Sequence, residues 1–280
     1  WDSRYLWYPL EIGGGNMASA MIGGLRQQGY PIGLLDIIEP QEDARKRLHT
    51  HLGITAHPEA GAFLEHSTIV VWAVKPQIFQ EVTAQLIPYF APNVLHISVA
   101  AGIRSDSIAR WLSNERIIRA MPNTPALIGK GMTGLFAREA TSSIDRENTE
   151  RIVSGMGDFL WLEQEHQLDA VTAISGSGPA YMFYLMETMI EAGADMGLSR
   201  EQAYRLATAT FIGAGELAQP SNDPPEILRH RVTSKGGTTY AAITNMDRNN
   251  IKGLFTQALH AAHQRAIEMG DEFGVVKPSK

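Results

Sequence analysis

Apolar positions along the chain have two textures, and the change comes near Glu165. Before it, short β-rich runs alternate with stretches of helical period. Ile69–Val74 (IVVWAV), Val94–Val99 (VLHISV) and Ile117–Met121 (IIRAM) are runs rather than alternations, which predicts strands covered on both faces. Weaker strands are expected at Ile32–Leu35, Met132–Phe136 and Phe159–Leu162, with helices over Asn16–Gln28, Gln41–His51, Gln77–Tyr89 and Ser105–Leu112. Strand–helix–strand alternation predicts an α/β fold with a doubly wound parallel sheet.

After Glu165 the strand signals stop. Pro179–Met196 is apolar almost all round, the mark of a helix buried in a domain or a dimer. Ser199 with Gln202 three residues later reads as a capping box, and the helix it opens, to about Ala218, is rich in Ala and Gly. Pro220–Pro225 reads as a loop, and a final helix is expected over Asn250–Phe273. The expected division is therefore an α/β domain over residues 1–165 and an all-helical domain over residues 166–280.

Composition narrows the possible chemistry. The 280 residues contain no cysteine, which removes disulfides, zinc–thiolate sites and thiol nucleophiles. Lys and Arg number 24 against 30 Asp and Glu, and a formal charge of −6 without a basic block argues against nucleic acid or an anionic membrane as partner. The nine histidines form no metal signature, so no metal is expected. The longest uncharged run, Val82–Ile103, is broken by Pro88, Pro92 and Asn93, and Trp1–Glu11 lacks the basic start and apolar core of a signal peptide. A cytoplasmic location is expected.

Ile12-Gly13-Gly14-Gly15-Asn16-Met17-Ala18 fits G-x-G-x-x-A, a Rossmann-type turn in which helix N–H groups hold a pyrophosphate. Asp36, 23 residues after Gly13, is expected to end the second strand and meet the adenosine ribose. Pro9 and Glu11 disagree with a central apolar strand before the glycines. Either that strand is short and distorted, or residues 1–11 are not native.

Ala73-Val74-Lys75-Pro76, Val99-Ala100-Ala101-Gly102 and Met121-Pro122-Asn123-Thr124-Pro125 each follow a strand, where a doubly wound sheet keeps its ligands. Lys75 is placed to meet a phosphate or a ribose, or is a solvated lysine ahead of a helix. Ser175-Gly176-Ser177-Gly178-Pro179 and Val232-Thr233-Ser234-Lys235-Gly236-Gly237-Thr238-Thr239 each open a helix with glycines and hydroxyls. Either can cap that helix or bind a carboxylate.

Taken together, these motifs resemble the pyrroline-5-carboxylate reductase family, from about Ile12 to the last helix. IGGGNMA, AVKPQ, VAAG, MPNTPA, SGSGPAY and VTSKGGTT stand in the family's order. The segment Asp36–Pro40 and the residues before Ile12 depart from its pattern. The resemblance implies reduction of (S)-1-pyrroline-5-carboxylate to L-proline by NADPH, with NADH accepted, and a helical domain that binds substrate and dimerises. It implies that Gly13, Gly15, Asn16 and Met17 hold the pyrophosphate, and that Ala73, Val74, Lys75, Pro76, Ala100, Ala101, Gly102 and Asn123 border the rest of the cofactor. Ser234, Gly236, Gly237, Thr238 and Thr239 would hold the substrate, with Thr239 the catalytic hydroxyl. The partners implied are a small-molecule substrate and a second copy of the chain, as a homodimer or a higher oligomer. Two rivals share part of the pattern. A β-hydroxyacid dehydrogenase would need an interior lysine, which 180–196 and 199–218 lack, and a non-catalytic nicotinamide sensor would have no use for the Gly-Gly-Thr-Thr loop.

Overall fold

The structure, a computed structural model, describes residues 9–13 and 15–274, and of Pro9, Leu10 and Glu11 it describes the backbone. Gly14 and Trp1–Tyr8 lie outside the described residues, as does the side chain of Glu11. Seven strands form one sheet in the order β2-β1-β3-β4-β5-β6-β7. They are β1 (Pro9–Ile12), β2 (Asp36–Ile38), β3 (Ile69–Trp72), β4 (Leu95–Ser98), β5 (Ile117–Met121), β6 (Gly131–Ala137) and β7 (Gly157–Trp161). All pairings are parallel except β5 with β6. The stretch joining those two holds a single 3₁₀ turn, Thr124–Ile128, too short for the crossover that parallel strands need.

Two local expectations change. A strand does form before the glycines: β1 is four residues long and pairs with β2 on one side and β3 on the other. Pro9 opens it, the position in a strand where a missing N–H is tolerated. The strand expected at Ile32–Leu35 falls instead on Asp36–Ile38, because Ile32–Leu34 closes into a 3₁₀ turn. Pro31 starts that turn, and the N–H of Leu34 donates to its carbonyl at 2.9 Å.

The helices of this part are α1 (Asn16–Gln27), α2 (Glu42–Leu52), α3 (Pro76–Leu86), α4 (Ser105–Leu112) and α5 (Ser143–Ser154). The runs read as doubly covered are so. Ile69, Val71, Leu95, Ile97 and Ile118 point to one face and pack with Met21, Ile22 and Leu25 of α1 and Ile152 and Val153 of α5. Val70, Trp72 and Ile117 point to the other and pack with Phe79 and Leu86 of α3 and Ile108 and Leu112 of α4. Removing such side chains from water is worth roughly 1.5–3 kcal/mol each, which is why no polar alternation is visible in these strands.

The chain divides into two compact units. One takes the chain up to Gly176 and again from Ala262; the other is Ser177–Ala261. Beyond β7, α6 (Gln167–Val171) runs through a π-turn (Thr172–Gly176) into α7 (Gly178–Asp195). Then follow α8 (Arg200–Ala218), α9 (Pro225–Arg231), α10 (Thr238–Arg248) and α11 (Ile251–Gly274). The Ser199–Gln202 capping box forms as expected. Gly193 lets α7 approach α8 closely, since a Cβ there would stand 2.9 Å from the Cβ of Ala203. Among the described residues no helix is long and apolar enough to cross a membrane, and no group of three or more His, Cys, Asp or Glu could hold a metal ion.

One core interaction makes stability depend on pH. The Trp72 indole N–H donates to His96 Nδ1 at 3.1 Å in a buried aromatic cluster. Burial first, and the Arg116 charge second, push the His96 pKa down from 6.5 to about 3. The unfolded chain therefore binds a proton between those values that the folded chain does not. The stability His96 contributes is present above pH 6.5 and is lost as pH falls towards 3, by at most about 1.4 kcal/mol per pH unit. In His96→Gln the amide oxygen still accepts the indole N–H but does not titrate. Urea unfolding between pH 7 and pH 4.5 should show a shallower loss of stability in that variant than in the wild type.

Candidate active site

The carboxyl ends of the parallel strands share one edge of the sheet, and most candidate residues lie there. The N–H of Gly13 donates to the carbonyl of Ile38 at 2.9 Å, that of Ala73 to Ile12 at 2.9 Å, and that of Val99 to Trp72 at 3.1 Å. These bonds bring the ends of β1, β2, β3 and β4 together around the point where strand order reverses, between β1 and β3. That is where doubly wound sheets bind their ligands.

The glycine turn fits a dinucleotide phosphate. Gly13 has φ +109°, and a Cβ there would stand 2.7 Å from the carbonyl oxygen of Ala73. Its glycine is therefore required by the strands themselves. Gly15 caps α1, with no described residue within 4 Å of where its Cβ would be, and the first turn of α1 carries no acidic residue. Asn16 and Met17 form that turn. A helix start with exposed N–H groups and open space is suited to an anion. Lys75 caps α3 and is exposed, with Pro76 at the first helical position. Ala100 is buried, and its N–H donates to Ser98 Oγ at 3.3 Å. Ala101 and Gly102 form the turn after β4.

Asp36 does not stand at this edge. It opens β2, level with Leu10, and its carboxylate lies 3.3 Å from His57 Nε2 at the amino end of the strands. The shift of the strand by the 3₁₀ turn is the cause. The acid that ends β2 is Glu39, which the sequence reading did not single out. It is 7% exposed, its N–H donates to His57 O at 2.9 Å, and its Oε1 accepts from the N–H of Gln41 at 2.7 Å.

Three further features of this edge rest on contacts distant in the chain. The side chain of Asn123 is engaged internally: Nδ2 donates to Ser175 O at 3.3 Å and Oγ at 3.1 Å, and Oδ1 accepts from Met132 N–H at 2.9 Å. Gly102, at φ +71°, is packed by α11, since a Cβ there would meet Met269 at 2.8 Å and Phe273 at 3.2 Å. Arg119, on β5, is buried and pairs with Glu165 at 2.8 Å. Glu165 also accepts from Ser105 N–H at 2.5 Å and Ser105 Oγ at 2.6 Å, so it caps the helix that follows the Ala100–Gly102 turn. Nearby, burial raises the pKa of Asp169 despite the opposing charges of Arg119 and Arg104.

In the other unit, Ser234 O accepts from Gly237 N–H at 3.0 Å, and Gly236 takes φ +77°. A Cβ on Gly237 would stand 2.7 Å from Ser234 Oγ and 3.2 Å from Ser234 O, so a side chain there would displace the Ser234 hydroxyl. Gly237 caps α10 without a side-chain bond, and Thr238 and Thr239 are the first two helical residues. Thr239 is thus inside the helix and not its cap. A cavity of about 290 Å³ beside the turn is lined by Gly236, Gly237, Tyr240, Thr244, Asn245 and Arg248. The other glycine-rich segment opens α7 at Gly178, as expected, with Ser177 before it; Ser175 and Gly176 belong to the π-turn that continues α6, so no open loop precedes that start.

Comparison with known proteins agrees with this fold. Residues 165–269 match the family model for pyrroline-5-carboxylate reductase dimerisation, and residues 12–102 that for coenzyme F420-dependent NADP oxidoreductases. The chain is 43% identical to the pyrroline-5-carboxylate reductase of Pseudomonas aeruginosa over 94% of its own length and 97% of the relative's. It belongs to the pyrroline-5-carboxylate reductase family. The reductase is 38% identical to its Haemophilus influenzae relative, over 92% of this chain and 96% of that one. A solved pyrroline-5-carboxylate reductase from Coxiella burnetii superposes with a TM-score of 0.88 at 35% identity, covering 94% of this chain and 98% of that one. The Plasmodium falciparum enzyme, solved with NADP bound, gives 0.82 at 28% identity over 94% and 98%. These relatives are pyrroline-5-carboxylate reductases, which are NAD(P)-dependent oxidoreductases, so the β-hydroxyacid dehydrogenase and sensor alternatives are not favoured.

The two glycines of the turn should respond differently to alanine. Gly13→Ala forces a side chain into the Ala73 carbonyl at a positive φ and should cost about 1–3 kcal/mol in urea unfolding. Gly15→Ala meets nothing among the described residues and should leave stability within about 0.5 kcal/mol while weakening dinucleotide binding in a fluorescence titration.

Proposed function

We propose that the reductase transfers a hydride from NAD(P)H to the C=N bond of (S)-1-pyrroline-5-carboxylate, giving L-proline, with the two glycine turns as its anion sites. The observation that carries this reading is shared by α1 and α10. Each begins at a glycine with no side-chain cap and no acid in its first turn. Each therefore offers N–H groups and the positive end of a helix dipole to an anion.

Gly13, Gly15, Asn16 and Met17 hold the pyrophosphate of the cofactor. Ala73 to Pro76 and Ala100 to Gly102 border its ribose and nicotinamide, and small side chains there admit a flat ring. Asn123 braces that wall through Ser175 and Met132. The bound nicotinamide supplies the hydride. Ser234, Gly236, Gly237 and Thr238 hold the substrate carboxylate at the start of α10. Thr239, one residue further into the helix, directs its hydroxyl to the ring nitrogen and relays a proton from water. A protonated C=N bond is already electrophilic, so the protein has mainly to align it and exclude competing water.

A homodimer, or a higher oligomer built from it, completes the reading. No residue of α7 is buried within one chain, and Phe183 and Tyr184 are 59% and 70% exposed. On α8, Leu217 is 74% exposed. Apolar surface on this scale is typical of an obligate interface. Light scattering at micromolar concentration should give a dimer or larger; a stable, active monomer would overturn the assembly.

An assay with pyrroline-5-carboxylate and reduced nicotinamide tests the reaction, and Thr239 tests the mechanism. Thr239→Ala should lower kcat at least about tenfold, near 1.4 kcal/mol of barrier, with cofactor affinity unchanged. Thr239→Ser should recover much of the rate. A folded alanine variant with near-normal kcat/KM for the imine would assign the proton relay elsewhere.

A further inference from the structure

We propose that Glu39 makes this reductase discriminate against the 2′-phosphate of NADPH and prefer NADH. The proposal rests on the reading of Gly13–Met17 as the dinucleotide turn. It reverses the preference that the family resemblance implies.

Position is the first argument. Gly13 N–H donates to Ile38 O, so Glu39 is the first residue of the β2 end to pass the glycine turn. In dinucleotide folds, an acid at this point accepts from the adenosine ribose, and a 2′-phosphate in the same place would face its charge. Glu39 lies 26 residues after Gly13, and its side chain is fixed rather than swinging in solvent. It is 7% exposed and accepts from Gln41 N–H at 2.7 Å, while its own N–H is held by His57 O at 2.9 Å. A carboxylate so fixed cannot easily turn away from a phosphate.

Local charge is the second argument. NADPH specificity at this point needs a cation turned to the phosphate. Arg45 Nη1 instead donates to the carbonyls of Glu39 at 2.9 Å and Pro40 at 2.7 Å. Lys46 is exposed and pairs with Glu42 at 2.7 Å. The first turn of α2 adds Glu42 and Asp43. Glu39, Glu42 and Asp43 thus outnumber Arg45 and Lys46 in the segment from the end of β2 into α2. Like charges a few ångströms apart at a buried carboxylate disfavour the wrong ligand by about tenfold or more.

Equilibrium titration of the wild-type protein with NADH and with NADPH, without substrate, tests this through nicotinamide fluorescence or calorimetry. NADH should bind at least about tenfold more tightly. Glu39→Gln keeps the acceptor for Gln41 N–H and removes the charge. It should tighten NADPH binding about tenfold with little change for NADH. Wild-type protein that binds NADPH as tightly as NADH, or more tightly, overturns the role of Glu39 and leaves the dinucleotide turn standing. A folded Glu39→Gln protein with an unchanged affinity ratio does the same. Failure to bind either dinucleotide would overturn both readings.

Discussion

A parallel strand must be entered from the same end as its neighbour, and this constraint shapes the larger unit. Each return path has to cross a face of the sheet, and in this chain helices fill those paths on both faces. All strand ends from β1 to β5 therefore discharge their loops at one edge. The glycines, small residues and prolines of those loops meet there because the topology leaves them nowhere else. The sheet abandons the rule only at β5 and β6, where the connection holds a single 3₁₀ turn and the chain can only double back.

Most of this fold is legible in the sequence, for a physical reason. Ile69–Trp72, Leu95–Ser98 and Ile117–Met121 are buried on both faces, so they carry little polar residue to blur the signal. The failures are equally physical. Ile32–Leu35 has the composition of a strand, but Pro31 and a 3₁₀ turn take it, and the three-residue strand that follows is too short to show a period. That displacement puts Asp36 at the start of the strand, where its end was expected. Helix α5 escaped because its apolar residues are few, although Ser142 and Asp145 form a capping box at its start.

The candidate site is legible to a different depth. Gly13, Gly15 and Gly237 stand out in local motifs, and at Gly13 and Gly237 the structure shows a close contact that a side chain would meet. Gly102 could also be read, but not for the right reason: part of its constraint comes from Met269 and Phe273, far along the chain. No local pattern announces such a contact. The same holds for the internal engagement of Asn123, whose partners lie nine and 52 residues away.

The pair formed by Arg119 and Glu165 has a consequence for how sequences of this kind drift. Arg119 is nearly enclosed, and Glu165 both neutralises it and holds the start of α4. Losing either partner alone strands a charge or an N–H group in the interior, at a cost of about 3–5 kcal/mol, a large share of a typical domain's stability. On this physical ground a single substitution at either position should be disfavoured, and the two positions, 46 residues apart, should change together or stay as they are across related sequences.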